Sequence, residues 1–222
     1  MSESIDTASA VGTQLPPGSK PWLHDLGRWI GTWCFKPAFR IRVHGMDRVP
    51  RTGPVVLVAN HSSMLEPQLI YGMLPRRSVF LVKQEMFKGV AGKALLAIGQ
   101  VPVKRGEPDR APLLTAVAIL KDGGLVGIFP EGTRGEGDVS AAEQGAAWLV
   151  RQSGAVVVPL VTRGTRRPEG SGRRWRPRVD MMVGEPFDLA VGRGRTGLTE
   201  ATEEIRVRLA DLVRELDEMR KR

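Results

Sequence analysis

Apolar positions along the chain follow two rhythms. Seven short runs rich in Val, Ile, Leu and Phe fall at 40–44, 54–59, 78–82, 100–104, 125–129, 155–161 and 178–183, and each predicts a strand. Between them lie segments of helical period near 64–74, 85–97, 109–122, 140–153 and 199–220. The runs PVVLVA (54–59) and AVVVPLV (155–161) are apolar at nearly every position, as expected of strands covered on both faces of a sheet. The pattern predicts an α/β fold in which helices cover a mostly parallel central sheet. In the last helix Ile205, Leu209, Leu212, Leu216 and Met219 recur at steps of four and three. One stripe of that kind packs on the sheet or forms a short dimer seam.

The N-terminal region breaks from this alternation. Residues 1–19 are rich in Ser, Thr, Ala, Gly and Pro and predict a disordered tail. Over 20–39, Trp22, Leu23, Leu26, Trp29, Ile30 and Trp33 share one helical face, and Lys20, His24, Asp25, Arg28 and Thr32 share the other. Pro37 ends the pattern. Trp favours the boundary between lipid and water, so the segment reads as an amphipathic helix in a membrane interface. An ordinary helix packing its Trp on the domain core fits the same spacing. Residues 40–222 then form one domain that includes the C-terminal helix.

Composition narrows the function classes. A single cysteine, Cys34, excludes an intramolecular disulfide, and the scattered His24, His44 and His61 do not make a zinc cluster. No metal or cofactor is expected. The net charge of +9 favours anionic partners. Residues 162–178 hold seven arginines against Glu169 alone, and predict a surface loop that either grips anionic headgroups or phosphates or is simply solvated. Only Trp175 interleaves those cations and no recognition motif accompanies them, which argues against nucleic acid. Residues 1–19 lack a secretory apolar region, and no run of 18 apolar residues exists. The expected location is the cytoplasmic face of a membrane, peripheral or monotopic.

Two tempting motifs carry little. Gly192 to Gly197 satisfies G-x-G-x-x-G, but only one helix follows and no second strand, so it reads as a flexible linker. Ser62 and Ser63 lack the glycines of a nucleophile elbow. The stronger cluster is Asn60-His61-Ser62-Ser63-Met64-Leu65-Glu66, directly after strand 54–59. Ligands of open α/β sheets bind at the carboxyl ends of strands. A carboxylate five residues after a histidine can hold one ring nitrogen and leave the other to accept a proton, although such pairs also serve purely structural roles. Phe129-Pro130-Glu131-Gly132-Thr133-Arg134 ends another strand, with a guanidinium suited to phosphate and a glycine that admits close backbone approach, or else a salt-bridged turn. Lys83 and Arg105 follow two further strands. Together these ends describe an anion-binding crevice containing a base.

In this order the blocks resemble the glycerolipid (PlsC-type) acyltransferases, over about residues 40–190. Asn60 to Glu66 is similar to N-H-x-S-x-x-D, with Glu in place of Asp at 66. Lys83 to Phe87 is similar to K-x-E-L-F, Gly99 to Arg105 to G-x-I-x-V-x-R, and Val156 to Leu160 to the last strand of the family. Phe129 to Arg134 matches F-P-E-G-T-R throughout. The resemblance implies a glycerol-3-phosphate acyltransferase-like fold and transfer of a fatty acyl group from acyl-CoA or acyl-carrier protein to the hydroxyl of a lysophospholipid such as 1-acylglycerol-3-phosphate. It implies His61 and Glu66 as catalytic residues, and Lys83, Arg105, Glu131, Gly132, Thr133 and Arg134 as binders of the acceptor. Lipid acceptor, thioester donor, an anionic membrane surface and acyl-carrier protein are the partners it brings. A different lipid acceptor or a silent lipid-binding relative remain alternatives because of Glu66.

Overall fold

The computed structural model describes residues 14–104, 110–130, 139, 142, 144–166 and 175–222. Among these residues seven strands form one sheet in the order β1-β7-β6-β2-β5-β3-β4. They are β1 (Arg40–His44), β2 (Val55–Ala59), β3 (Val79–Lys83), β4 (Val101–Val103), β5 (Leu125–Ile128), β6 (Val156–Arg163) and β7 (Arg178–Val183). Every neighbouring pair is parallel except β6 with β7. The carboxyl ends of β2, β3, β4, β5 and β6 therefore share one edge of the sheet. Among the described residues six α-helices connect or flank the strands: α1 (Pro21–Ala38), α2 (Leu65–Met73), α3 (Gly89–Ala97), α4 (Ala111–Lys121), α5 (Gly145–Ser153) and α6 (Gly194–Lys221).

The alternation of side chains along the strands divides the core into two layers. Val56, Val58, Val126 and Val157 pack under α4, α5 and the start of α6. Val55, Leu57, Leu125, Val158 and Leu160 pack under α2, with Phe35 of α1 against the same layer. All five residues of β2 are buried, which accounts for its unbroken apolar run. The C-terminal stripe lies on the sheet: Leu209, Leu212 and Leu216 meet Val161 and Met182.

Several boundaries differ from the sequence expectation. Residues 14–19, assigned by composition to the tail, pack on the domain: Leu15 joins the core beside β4 and α4, and Gln14 meets Asp122 and Arg76. Residues 1–13 lie outside the described residues. Helix α1 continues past Pro37 to Ala38, because a proline in the last turn breaks only one backbone bond. The glycines at 194 and 197 belong to the first turn of α6, not to a flexible linker. Gly192 and Gly197 lie so close that a Cβ on Gly197 would sit 2.3 Å from the Gly192 backbone, which explains why both are glycine. The arginine-rich stretch is also only partly a loop: Arg163 ends β6 and pairs with Asp217 of α6, and Arg178 opens β7 and pairs with buried Asp180. Residues 167–174 lie outside the described residues.

The amphipathicity of α1 is inverted. Its polar side faces the domain: His24 is fully buried, Thr32 Oγ donates to the Gly72 carbonyl at 2.6 Å, and the Arg28 guanidinium donates to the Leu74 carbonyl. Its apolar side faces outward, with Trp22, Trp29 and Trp33 each about 60% exposed. The core-packing alternative for these Trp therefore does not hold. No helix among the described residues is long and apolar enough to cross a membrane.

Candidate active site

The chain leaves β2 at Asn60, whose buried amide clamps the neighbouring strand. Its Nδ2 donates to the Thr162 carbonyl at 3.2 Å, and its Oδ1 accepts the Thr162 N–H at 2.8 Å. This fixes the end of β2 against β6 and sets the direction of the next residue, His61. The chain then turns into α2, and Glu66 in the first helical turn reaches back beneath the loop. Its carboxylate is fully buried.

Glu66 Oε2 accepts from His61 Nδ1 at 3.2 Å, from the Ser62 N–H at 2.7 Å and from the Ser63 N–H at 3.1 Å. Oε1 accepts from Ser62 Oγ at 2.6 Å and from Thr165 Oγ1, just beyond β6, at 2.7 Å. The backbone part of this arrangement resembles a helix acid reaching back to the amides before its own helix. Burial pushes the Glu66 carboxyl upward, but the bonds from His61, Ser62, Thr165 and the Ser63 amide outweigh it and hold the group below the ordinary carboxylate range. Facing an ionised carboxylate, Nδ1 of His61 is the donor, so the lone pair of the neutral ring is on Nε2.

His61 lies on the wall of a cavity of about 340 Å³ between α2, α3 and β3. Most of the lining is apolar, including Met64, Phe80, Leu95, Ile98 and Phe129. The volume is within the usual range for small-molecule sites, about 300–1,000 Å³. The Phe129 ring lies 4.6 Å from the imidazole, centroid to centroid, and stacks on Phe80 at 6.0 Å. Lys83, at the end of β3, is on the same cavity, half-exposed and paired with Glu85 at 3.1 Å. The sequence-predicted His61 and Lys83 thus line one cavity, and Glu66 is buried behind the imidazole it holds. Arg105, Glu131, Gly132, Thr133 and Arg134 lie outside the described residues.

Two contributors escaped the sequence reading. Thr165 is 99 positions from Glu66 and follows a strand whose pairing with β2 is known only from the fold. The sequence offers Ser62 only as a nucleophile, whereas its hydroxyl and amide both serve Glu66. The register of β2 against β6 brings the Thr165 loop to the His61 loop, and no local signal encodes it.

The strand edge thus places a carboxylate-held imidazole over an apolar cavity, an arrangement suited to a base acting beside an apolar substrate. A family model described as Acyltransferase matches residues 40–163, and the chain belongs to that family. The 1-acyl-sn-glycerol-3-phosphate acyltransferase of Bacillus subtilis is 28% identical over 81% of this chain and 91% of its own length. The chloroplastic 1-acyl-sn-glycerol-3-phosphate acyltransferase LPAT1 of Arabidopsis thaliana is 30% identical over 70% of this chain, which spans 45% of that protein. The crystal structure of the 1-acyl-sn-glycerophosphate (LPA) acyltransferase PlsC from Thermotoga maritima superposes with a TM-score of 0.68 at 25% identity, covering 89% of this chain and 80% of that one.

Proposed function

We propose that this acyltransferase moves a fatty acyl group from a thioester donor, acyl-CoA or acyl-carrier protein, to the free hydroxyl of 1-acylglycerol-3-phosphate at a membrane surface. The observation that carries the reading is the His61–Glu66 contact on the wall of an apolar cavity. Nε2 of His61 takes the proton of the acceptor hydroxyl as its oxygen attacks the thioester carbonyl. Collapse of the tetrahedral adduct breaks the C–S bond, and the imidazolium returns its proton to the departing thiolate. Glu66 holds the ring in the tautomer that makes Nε2 basic and stabilises the transient positive charge. The thioester is already electrophilic, so the step asks the protein for position and a base, not for a covalent intermediate. The apolar cavity suits a fatty chain.

Lys83 on the rim and, by family resemblance, Arg105, Glu131, Gly132, Thr133 and Arg134 would hold the glycerol phosphate head. The outward Trp22, Trp29 and Trp33 support seating of α1 in the lipid boundary, where lysolipid substrate and diacyl product both reside. The test is thiol release and product mass with lysophosphatidic acid and each donor. His61→Ala is expected to lower the rate by roughly 10²–10⁴-fold, the range typical of a lost general base. Undiminished turnover in that variant would remove the mechanism, and turnover with other lysolipids but not lysophosphatidic acid would remove the acceptor.

A further inference from the structure

Helix α3 presents a surface that water does not explain. Its sequence, GVAGKALLA, contains one polar side chain, yet of its nine residues only Gly92 is buried. Val90 is 85% exposed and Leu96 52%, with Ala91, Lys93 and Ala94 exposed between them. A helix apolar on nearly all sides is normally enclosed by protein or by lipid. Here, among the described residues, protein encloses the side carrying Gly92 and Leu95, with Leu95 on the cavity wall.

The place of α3 in the fold names its occupant. The carbonyl of Ala97, its last residue, accepts the backbone N–H of Lys20 at 2.8 Å, one residue before α1 begins. Leu96 and Trp22 flank that junction, so the exposed side of α3 continues from the N-terminal end of the Trp face. At its other end, Met86 in the short 3-10 turn before α3 and Met64 before α2 are exposed and also line the cavity. Lys83, Lys88 and Lys93 stand exposed along the same stretch. A protein interface disfavours a lysine amid its apolar contacts, whereas at a lipid boundary its stem lies along the chains and its ammonium reaches the phosphates. A lone nine-residue convex helix is also small against the roughly 800 Å² per partner of a stable protein interface.

We propose that α3 is a second lipid-immersed element: Val90 and Leu96 enter the boundary of an anionic bilayer beside α1, and the cavity edge at Met64 and Met86 opens onto lipid. This rests on the interfacial reading of α1 given above. An environment-sensitive fluorophore separates the two. With Cys34→Ser removing the native thiol, single cysteines replace Ile30 on α1, Val90 on α3 or Val207, exposed on α6. Mixed phosphatidylcholine and phosphatidylglycerol vesicles are expected to blue-shift the label at 30 and at 90 but not at 207. A shift at 30 without one at 90 overturns the α3 proposal and leaves α1 intact, and no shift at either overturns both. A shift at 90 that grows with protein concentration in the absence of vesicles assigns the surface to a second copy of the chain. A shift there on adding acyl-carrier protein alone assigns it to that partner. Either result overturns the lipid assignment. Val90→Glu with Leu96→Glu should lower partitioning into the same vesicles by about tenfold or more, with unchanged circular dichroism. Unchanged partitioning would count against the proposal equally.

Discussion

At position 66 the longer acid has its own geometry. Five described donors converge on the Glu66 carboxylate: the His61 ring, the Ser62 hydroxyl, the Ser62 and Ser63 amides, and the Thr165 hydroxyl. They lie on both sides of the group, four from its own loop and one from beyond β6. Aspartate at this position retracts the carboxylate by about one C–C bond, ~1.5 Å, and cannot span both. Glu66→Asp is therefore expected to lower kcat by roughly tenfold, the equivalent of one charged hydrogen bond lost from the transition state. The comparison with Thr165→Val tests the cause. That variant removes the far contact alone, costs about 1.5–3 kcal/mol of stability by urea denaturation, and should raise the Glu66 pKa seen in an NMR titration. If Glu66→Asp matched the parent while Thr165→Val was neutral, the second contact would have no role in positioning the ring.

At the scale of elements, α1 is held by a close approach between two glycines. Gly31 of α1 faces Gly72 of α2, and a Cβ on Gly72 would meet the Thr32 amide nitrogen at 3.1 Å and the Gly31 carbonyl carbon at 3.2 Å. Backbone atoms cannot swing aside as a side chain does. Gly72→Val is expected to push α1 outward and to destabilise the fold by about 1–3 kcal/mol, measured by thermal unfolding. Its Thr32–Gly72 bond should lengthen with it, and an unchanged melting temperature would show that α1 is not anchored there. The sequence made the strands legible because continuous apolar runs such as VVLVA report burial on both faces whatever their neighbours are. It made the His61–Glu66 contact legible because five residues across a turn is local geometry. Thr165 was not legible, since only the β2–β6 pairing brings it near. Residues 14–19 misled in the same way: Leu15 is one apolar residue among prolines and glycines, and its partners in α4 and β4 are distant in sequence. The Trp face was legible as a stripe but not in its direction, because amphipathicity says that a helix has two sides, and only the hydrogen bonds of His24, Arg28 and Thr32 say which one faces in.

Across the whole molecule one of those inward polar groups, His24, ties several elements together and makes the fold sensitive to acid. His24 Nδ1 lies 2.6 Å from the Ile98 carbonyl and must donate to it, which leaves Nε2 to accept the Ser78 N–H at 3.4 Å. The hydroxyl of Tyr71 donates to the His24 carbonyl at 2.7 Å. One residue of α1 thus joins the end of α3, the start of β3 and the middle of α2. Burial is the main cause that lowers the His24 pKa to about 4. The Ile98 bond and Asp25 oppose it, and Arg28 and Arg77 reinforce it. A proton on Nε2 would also face the Ser78 N–H with a second donor. The unfolded chain binds that proton near 6.5, so the neutral ring contributes its full stability above about pH 6.5. That contribution declines as the pH falls towards 4, by about 3 kcal/mol in all. Glu66 acts in a lower window: its depressed pKa contributes stability above the ordinary carboxylate range and loses it as the pH falls further. Urea midpoints are expected to fall between pH 7 and 4.5 and again below that. His24→Gln, whose amide can still donate to Ile98, should flatten the first segment and spare the second. A first segment that persisted in His24→Gln would place the acid sensitivity elsewhere, and one absent from the parent would show that the buried imidazole is protonated without cost.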